Sequence, residues 1–306
     1  MATTRRAFTA ALGAGLAAGA WPLTASAQGG YPWPLGVQLW SVNAELDQDF
    51  DATLRRLSAL GYREVETAGL HGRTPEAFRA AAESAGLHLV SAHYAMGDLL
   101  SDPERRIAEV KGMGAAWLVC SSPKPDRPLA AGVDWIPAIH QAMTLPAWEK
   151  NAAALQRLGA MAKAAGLRFA YHNHPIEFDR YDGRRGYDVL LAGTDPALVK
   201  LELDVAWAAA GGADPVALLR AHPGRFRLLH IKGLKTRPPL GRFGSDFTTG
   251  VVGRDDVIDW PAVIHAARRA GVSHAFVEQE PPHVRPIMET LAACRDSLQH
   301  LEGTRR

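Results

Sequence analysis

Apolar and polar positions along the chain recur in one local unit: a segment rich in Ala and Leu, then a Gly, then a short apolar run. The unit occurs five times, as Leu60-Gly61-Tyr62-Arg63-Glu64-Val65, Ala85-Gly86-Leu87-His88-Leu89-Val90, Met113-Gly114-Ala115-Ala116-Trp117-Leu118-Val119, Ala165-Gly166-Leu167-Arg168-Phe169-Ala170 and Ala270-Gly271-Val272-Ser273-His274-Ala275-Phe276-Val277. Each Gly falls where a helix must end in a left-handed residue before the chain enters a strand. Thr74-Pro75, Asp102-Pro103, Asp195-Pro196 and Asp214-Pro215 set a capping side chain ahead of a proline, which predicts four helix starts. Runs at 36–40, 199–203 and 226–231 bring the candidate strands to eight. Strands alternating with helices imply a parallel sheet, and eight units in about 280 residues match a single closed (β/α)8 TIM barrel better than an open doubly wound sheet. No Gly-x-Gly-x-x-Gly follows the first strand to suggest a dinucleotide site. The long segments 121–145 and 233–258 both follow strands, so in a barrel they lie over the end where active sites are built.

Composition narrows the function classes. With 47% hydrophobic and 22% charged residues among 306, the chain can bury a sizeable core. A formal charge of +2 and no terminal block of like charge argue against a nucleic-acid partner. Cys120 and Cys294, one in a predicted strand and one in the last helix, are expected to be separate packed thiols. From 7 to 44 there is no Asp, Glu, Lys or Arg, and this stretch follows Arg5-Arg6. That opening resembles a twin-arginine signal peptide over 1–27, with Ala25-Ser26-Ala27 as the cleavage site and a catalytic domain over 28–306. The expected location is the periplasm. The apolar part is built from Ala and Gly and broken by Pro22, so no stable membrane insertion is expected after cleavage.

In a barrel, polar side chains at the carboxyl ends of strands face the site. Read in order, these are Gln38, Glu66, His93, then Tyr171-His172-Asn173-His174 with Glu177, then Glu202 and Asp204, then His230 and Lys232, and finally Glu278 and Glu280. Carboxylates and imidazoles without thiolates suit one divalent ion, Mn, Mg, Co or Zn. Two-residue alternation puts Glu202 and Asp204 on one face, and Asp204 lies nearer the strand end. Glu278 is preferred to Glu280 on the same ground, since Pro281-Pro282 assign Glu280 to a loop.

Four segments carry a resemblance: Ala170-Tyr171-His172-Asn173-His174-Pro175-Ile176-Glu177-Phe178, Leu201-Glu202-Leu203-Asp204-Val205-Ala206-Trp207, Leu229-His230-Ile231-Lys232 and Phe276-Val277-Glu278-Gln279-Glu280. Together they resemble the sugar phosphate isomerase/epimerase family of xylose-isomerase-like barrels, which includes inosose dehydratase and the ketose 3-epimerases. The resemblance implies metal ligands at Glu177, Asp204, His230 and Glu278, with Glu177 and Glu278 doubling as bases. It implies a carbohydrate or cyclitol substrate that loses a proton beside a carbonyl through a metal-stabilised enediolate. His172, His174 and Lys232 are further catalytic candidates, and Gln38, Trp40, Glu66, His93 and Trp207 are candidates for the substrate pocket. One departure stands out: many relatives carry Asp after the lysine, where this chain has Gly233, so His230 lacks that neighbour.

Isomerase, epimerase and keto-sugar or 3-keto-glycoside lyase share the first proton abstraction and stay open alternatives. A non-catalytic periplasmic sugar-binding barrel is the alternative of another class. The DNA-cleaving branch of this fold needs extra His ligands and a basic groove, against which the export signal and a formal charge that falls from +2 to 0 on loss of Arg5 and Arg6 both argue. A homo-oligomer remains open.

Overall fold

The computed structural model describes residues 31–239, 247–281, 283 and 285–301. The expected segment 1–27 and its cleavage site lie outside the described residues. Eight strands close a parallel barrel: β1 (Gly36–Gln38), β2 (Glu64–Thr67), β3 (His88–Ala95), β4 (Trp117–Ser122), β5 (Arg168–His172), β6 (Lys200–Asp204), β7 (Phe226–Ile231) and β8 (His274–Val277). They pair in chain order, and β1 meets β8 through Gly36↔Phe276 and Val37↔Val277. A Cβ at Gly36 would lie 2.5 Å from the Ala275 carbonyl oxygen, so glycine lets the two closing strands approach.

Each strand turns alternate residues inward and outward. On β7, Leu229 and Ile231 pack outward into the main core beneath the helices, while Leu228 belongs to a separate small cluster inside the bore. That inner cluster also holds Val90, Trp117, Val119, Ala170 and Phe276, and it plugs the bore below the site. Register shifts at Val65/Glu66 and at Tyr94/Ala95 let β3 carry Ser91 opposite Glu66 while His93 stands nearer the strand's carboxyl end.

The helix starts follow the capping chemistry at three of the four expected places. Thr74, Asp102 and Asp214 each accept backbone N–H bonds ahead of a proline in the first turn. At Asp195-Pro196 the expectation fails. Asp195 Oδ1 accepts from Ala197 N at 2.7 Å, but the chain makes only a turn, because β6 begins at Lys200 and leaves no room for a helix. The segment 121–145 contains a helix, Trp135–Ala142, and Gly233–Leu234 pairs antiparallel with Thr249–Gly250. Cys120 and Cys294 are buried, separate free thiols. No helix among the described residues is long and apolar enough to cross a membrane.

Candidate metal centre

The inward positions one step above the apolar plug are polar on nearly every strand. β1 contributes Gln38, β2 Glu66, β3 His93, β5 His172, β6 Glu202 and Asp204, and β7 His230, while Lys232 and Glu278 lie just past β7 and β8. Alternation and strand closure bring them together; Asp204 stands opposite His230 in the β6–β7 register. Among the described residues two groups form that could each hold an ion, and they share one residue. His172, Asp204, His230 and Glu278 make the outer group, and Glu66, His93, Glu202 and His230 make the inner one.

In the outer group, His230 Nδ1 lies 2.7 Å from Glu278 Oε2, 3.1 Å from His172 Nε2 and 3.7 Å from Asp204 Oδ2. Lys232 is wholly buried, with Nζ 3.0 Å from Asp204 Oδ2, 2.9 Å from Glu278 Oε2 and 2.6 Å from Glu280 Oε1, and it lies 4.6 Å from the Trp207 ring centroid. Burial favours neutral Asp204 and Glu278, yet the Lys232 ammonium outweighs it and holds both carboxyls well below their usual range. The same three carboxylates overcome the burial penalty on Lys232 and raise its affinity for its proton. Burial and the neighbouring His230 bring His172 down to about 4, so it stands neutral, as a ligand must.

The donor set fits a divalent ion. It combines two carboxylates with two imidazoles and no thiolate. Asp204 Oδ2 is buried, with the Lys232 ammonium 3.0 Å away and both imidazoles 3.7 Å away, so it faces the same space as the other three donors.

Three of the four expected ligands, Asp204, His230 and Glu278, meet in the outer group, and His172 completes it. Glu177 stands apart from both groups. It sits past the end of β5 in a short 3-10 turn, Pro175–Phe178, where Oε2 accepts from the His174 amide at 3.0 Å and Oε1 from the Tyr171 hydroxyl at 2.6 Å. Capping its own turn commits both oxygens, and burial pushes this carboxyl up to about 8.

His230 turns its other nitrogen inward, with Nε2 2.7 Å from Glu66 Oε1. Its carboxylate neighbour on that side thus comes from β2, not from residue 233. A Cβ at Gly233 would run into the Gly250 carbonyl oxygen, so the position next to the lysine is held to glycine by the short antiparallel pair. In the inner group, burial lowers the proton affinity of His93, but Glu66 and Glu202 override it and raise His93 to about 9. Glu202, pushed up to about 7 by burial and then by the Glu66 charge, was legible in the sequence by its alternation with Asp204.

Above the outer group opens a cavity of about 1460 Å³ at the carboxyl end of the barrel. Gln38, Trp40, His93, His172, His174, Trp207 and Glu278 border it, whereas Glu66 and Lys232 lie beneath. The Trp207 ring stacks on Phe247 at 3.7 Å and forms one wall. Trp40 is 42% exposed at the rim, and its indole N–H donates to Glu280 Oε2 at 3.1 Å. Glu280, assigned to a loop by its prolines, therefore bridges the rim to Lys232. Trp135, on the helix of the 121–145 segment and absent from the candidates, packs edge-on to His174 at 4.9 Å; no strand periodicity could have marked it. Burial, and after it His172, holds His174 well below its usual range.

The profile of the xylose isomerase-like TIM barrel family matches residues 54–303, and the chain belongs to that family. Its sequence is 30% identical to an inosose dehydratase of Bacillus licheniformis over 165 residues, which is 50% of this chain and 54% of the relative. The chain thus spans about half the length of the curated relatives it matches. A crystal structure of a sugar phosphate isomerase/epimerase from Parabacteroides distasonis superposes with a TM-score of 0.71 at 24% identity, over 91% of this chain and 98% of the other. The structure of the IolI protein with a bound zinc atom superposes with a TM-score of 0.62 at 14% identity, over 86% and 96%.

Proposed function

We propose that the chain is a divalent-metal-dependent isomerase or epimerase of a sugar-like substrate, acting by removal of a proton next to a carbonyl. The observation that carries this reading is the meeting of His172, Asp204, His230 and Glu278 on the floor of a wide cavity at the carboxyl end of the barrel. These four residues would hold a divalent ion, whose positive charge would make a C–H next to a bound carbonyl more acidic. Glu278 is the carboxylate that both belongs to the ligand group and borders the cavity, so an oxygen not engaged as ligand is placed to accept that proton. His174 borders the cavity with an unpartnered Nδ1, and as a neutral imidazole it can exchange a proton with a substrate oxygen. Lys232 holds Asp204, Glu278 and Glu280 in place. Trp207 with Phe247 offers an apolar wall to a sugar face, and Trp40 offers a rim.

A lyase on a keto-sugar is the second reading. It is favoured by the likeness to inosose dehydratases, and His174 at the cavity border is placed to hydrogen-bond a departing oxygen. Incubating Mn²⁺-loaded protein with a panel of keto-sugars and 3-keto-glycosides in deuterated water tests both. Deuterium incorporation at the carbon beside the carbonyl is expected, loss of a substituent marks the lyase, and Asp204→Asn lowers either signal by at least about 100-fold. No exchange with any of the panel by protein carrying an equivalent of ion would end the catalytic reading in favour of a binding barrel. We also propose export to the periplasm, which cell fractionation checks: replacing Arg5 and Arg6 by lysine should retain the protein in the cytoplasm.

A further inference from the structure

The two possible ion sites share His230 through opposite nitrogens, so the ring can serve both only by losing its last proton. The geometry points to Glu66 as the positioning residue that keeps the proton on His230 Nε2 and so leaves Nδ1 as the ligating atom, an inference that rests on reading the outer group as the ion site.

Glu66 can only accept. Its Oε2 takes the Ser91 hydroxyl at 2.5 Å and its Oε1 takes the Gln38 side-chain amide at 3.0 Å, so both oxygens face donors. His230 Nε2, 2.7 Å from the same Oε1, must then be the N–H of the ring. A ring that ligates an ion is neutral and has one N–H, so with an ion bound the proton stays on Nε2 and Nδ1 would turn its lone pair toward the space among His172 Nε2, Asp204 Oδ2 and Glu278 Oε2. The arrangement is built to be rigid. Glu66 is wholly buried, it is anchored from β1 and β3, and His93 Nε2 bridges it at 2.8 Å to Glu202 at 2.7 Å. A carboxylate fixed in this way sets the orientation and basicity of a ligating histidine.

The inner group is the competing ion site, and it has one feature in its favour: Glu202 Oε1 is buried without a hydrogen bond. Access and donor commitment favour the outer group. Of the inner four only His93 borders the cavity, whereas His172 and Glu278 both do, and Glu66 already spends both oxygens on Ser91 and Gln38.

The test uses the full chain with Co²⁺ and Zn²⁺ as probes. In wild-type protein loaded with Zn²⁺, nitrogen-15 NMR of the histidine rings should find His230 protonated at Nε2 and metal-bearing at Nδ1. The opposite assignment overturns the inference, and this measurement needs no variant to fold. Titration with Co²⁺, followed through its visible absorption, should give one equivalent in wild type, an affinity about 10- to 100-fold weaker in Glu66→Ala, and substantial recovery in Glu66→Gln, which keeps an acceptor oxygen. Equal affinity in all three proteins overturns it, as does a second equivalent in wild type that Glu66→Ala loses, since Glu66 would then be a ligand. Wild-type protein that takes up no Co²⁺ removes the ion-site reading and this inference together; wild type that binds beside an unaltered Glu66→Ala removes this inference alone.

Discussion

The bore of the barrel holds two regions built from the same strands and the same alternation, yet chemically opposite. Toward the amino ends, Val90, Trp117, Val119, Ala170, Leu228 and Phe276 pack as an apolar plug. Two residues further along several of those strands stand His172, His230 and Glu278, among buried carboxylates and a buried ammonium. On β7 the change from Leu228 to His230 to Lys232 crosses from one regime to the other within five residues. The lower region lowers the free energy of folding through area removed from water, and any group there can be replaced by another of similar volume. In the upper region each charge is tolerated because a specific partner faces it, so no member can be removed alone. The plug sets the rigid floor, and the charged layer above it gathers the groups that could hold an ion.

The contrast can be probed from both sides. Trp117→Ala, which empties the largest side chain of the plug, is expected to cost about 4 kcal/mol of stability while leaving ion affinity nearly unchanged. Denaturant unfolding and Co²⁺ titration of the same preparation would break the division if the variant lost ion binding while remaining folded. Lys232→Met should cost about 3 kcal/mol in metal-free protein, because Asp204, Glu278 and Glu280 lose the cation between them despite a side chain of similar length. Divalent ion should then stabilise this variant more than it stabilises wild type in thermal unfolding. Unchanged stability in metal-free Lys232→Met would mean that the upper region is not held by charge pairing.

The third test concerns Glu177, with its folded-state carboxyl raised to about 8 from an ordinary 4.5. A raised acid favours folding below its unfolded value, and that contribution is lost as pH rises through the folded one. Wild-type stability should therefore decline relative to Glu177→Gln between about pH 4.5 and 8, by no more than about 1.4 kcal/mol per pH unit. Parallel stability curves for the two proteins over that window would show that Glu177 is ionised in the folded state.

What the sequence determined by itself is the local and periodic part. The Gly-punctuated units marked the strands and helices because a helix end and a capped helix start are local backbone events, and Asp204, Glu278 and His230 were legible because alternation fixes which side of a strand they face. The one false helix start, at Asp195, carried the same local signal and lost to the nearness of β6. Which of the many strand-end groups meet was decided only when eight strands closed into a ring. Glu177 is the ligand the resemblance implies and His172, five residues earlier, only a catalytic candidate, but the turn after β5 folds the carboxylate back onto its own backbone and leaves the imidazole facing Asp204 and His230. The choice between the two nitrogens of His230 likewise rests on a glutamate 164 positions away, brought into reach by barrel closure and not by any spacing along the chain.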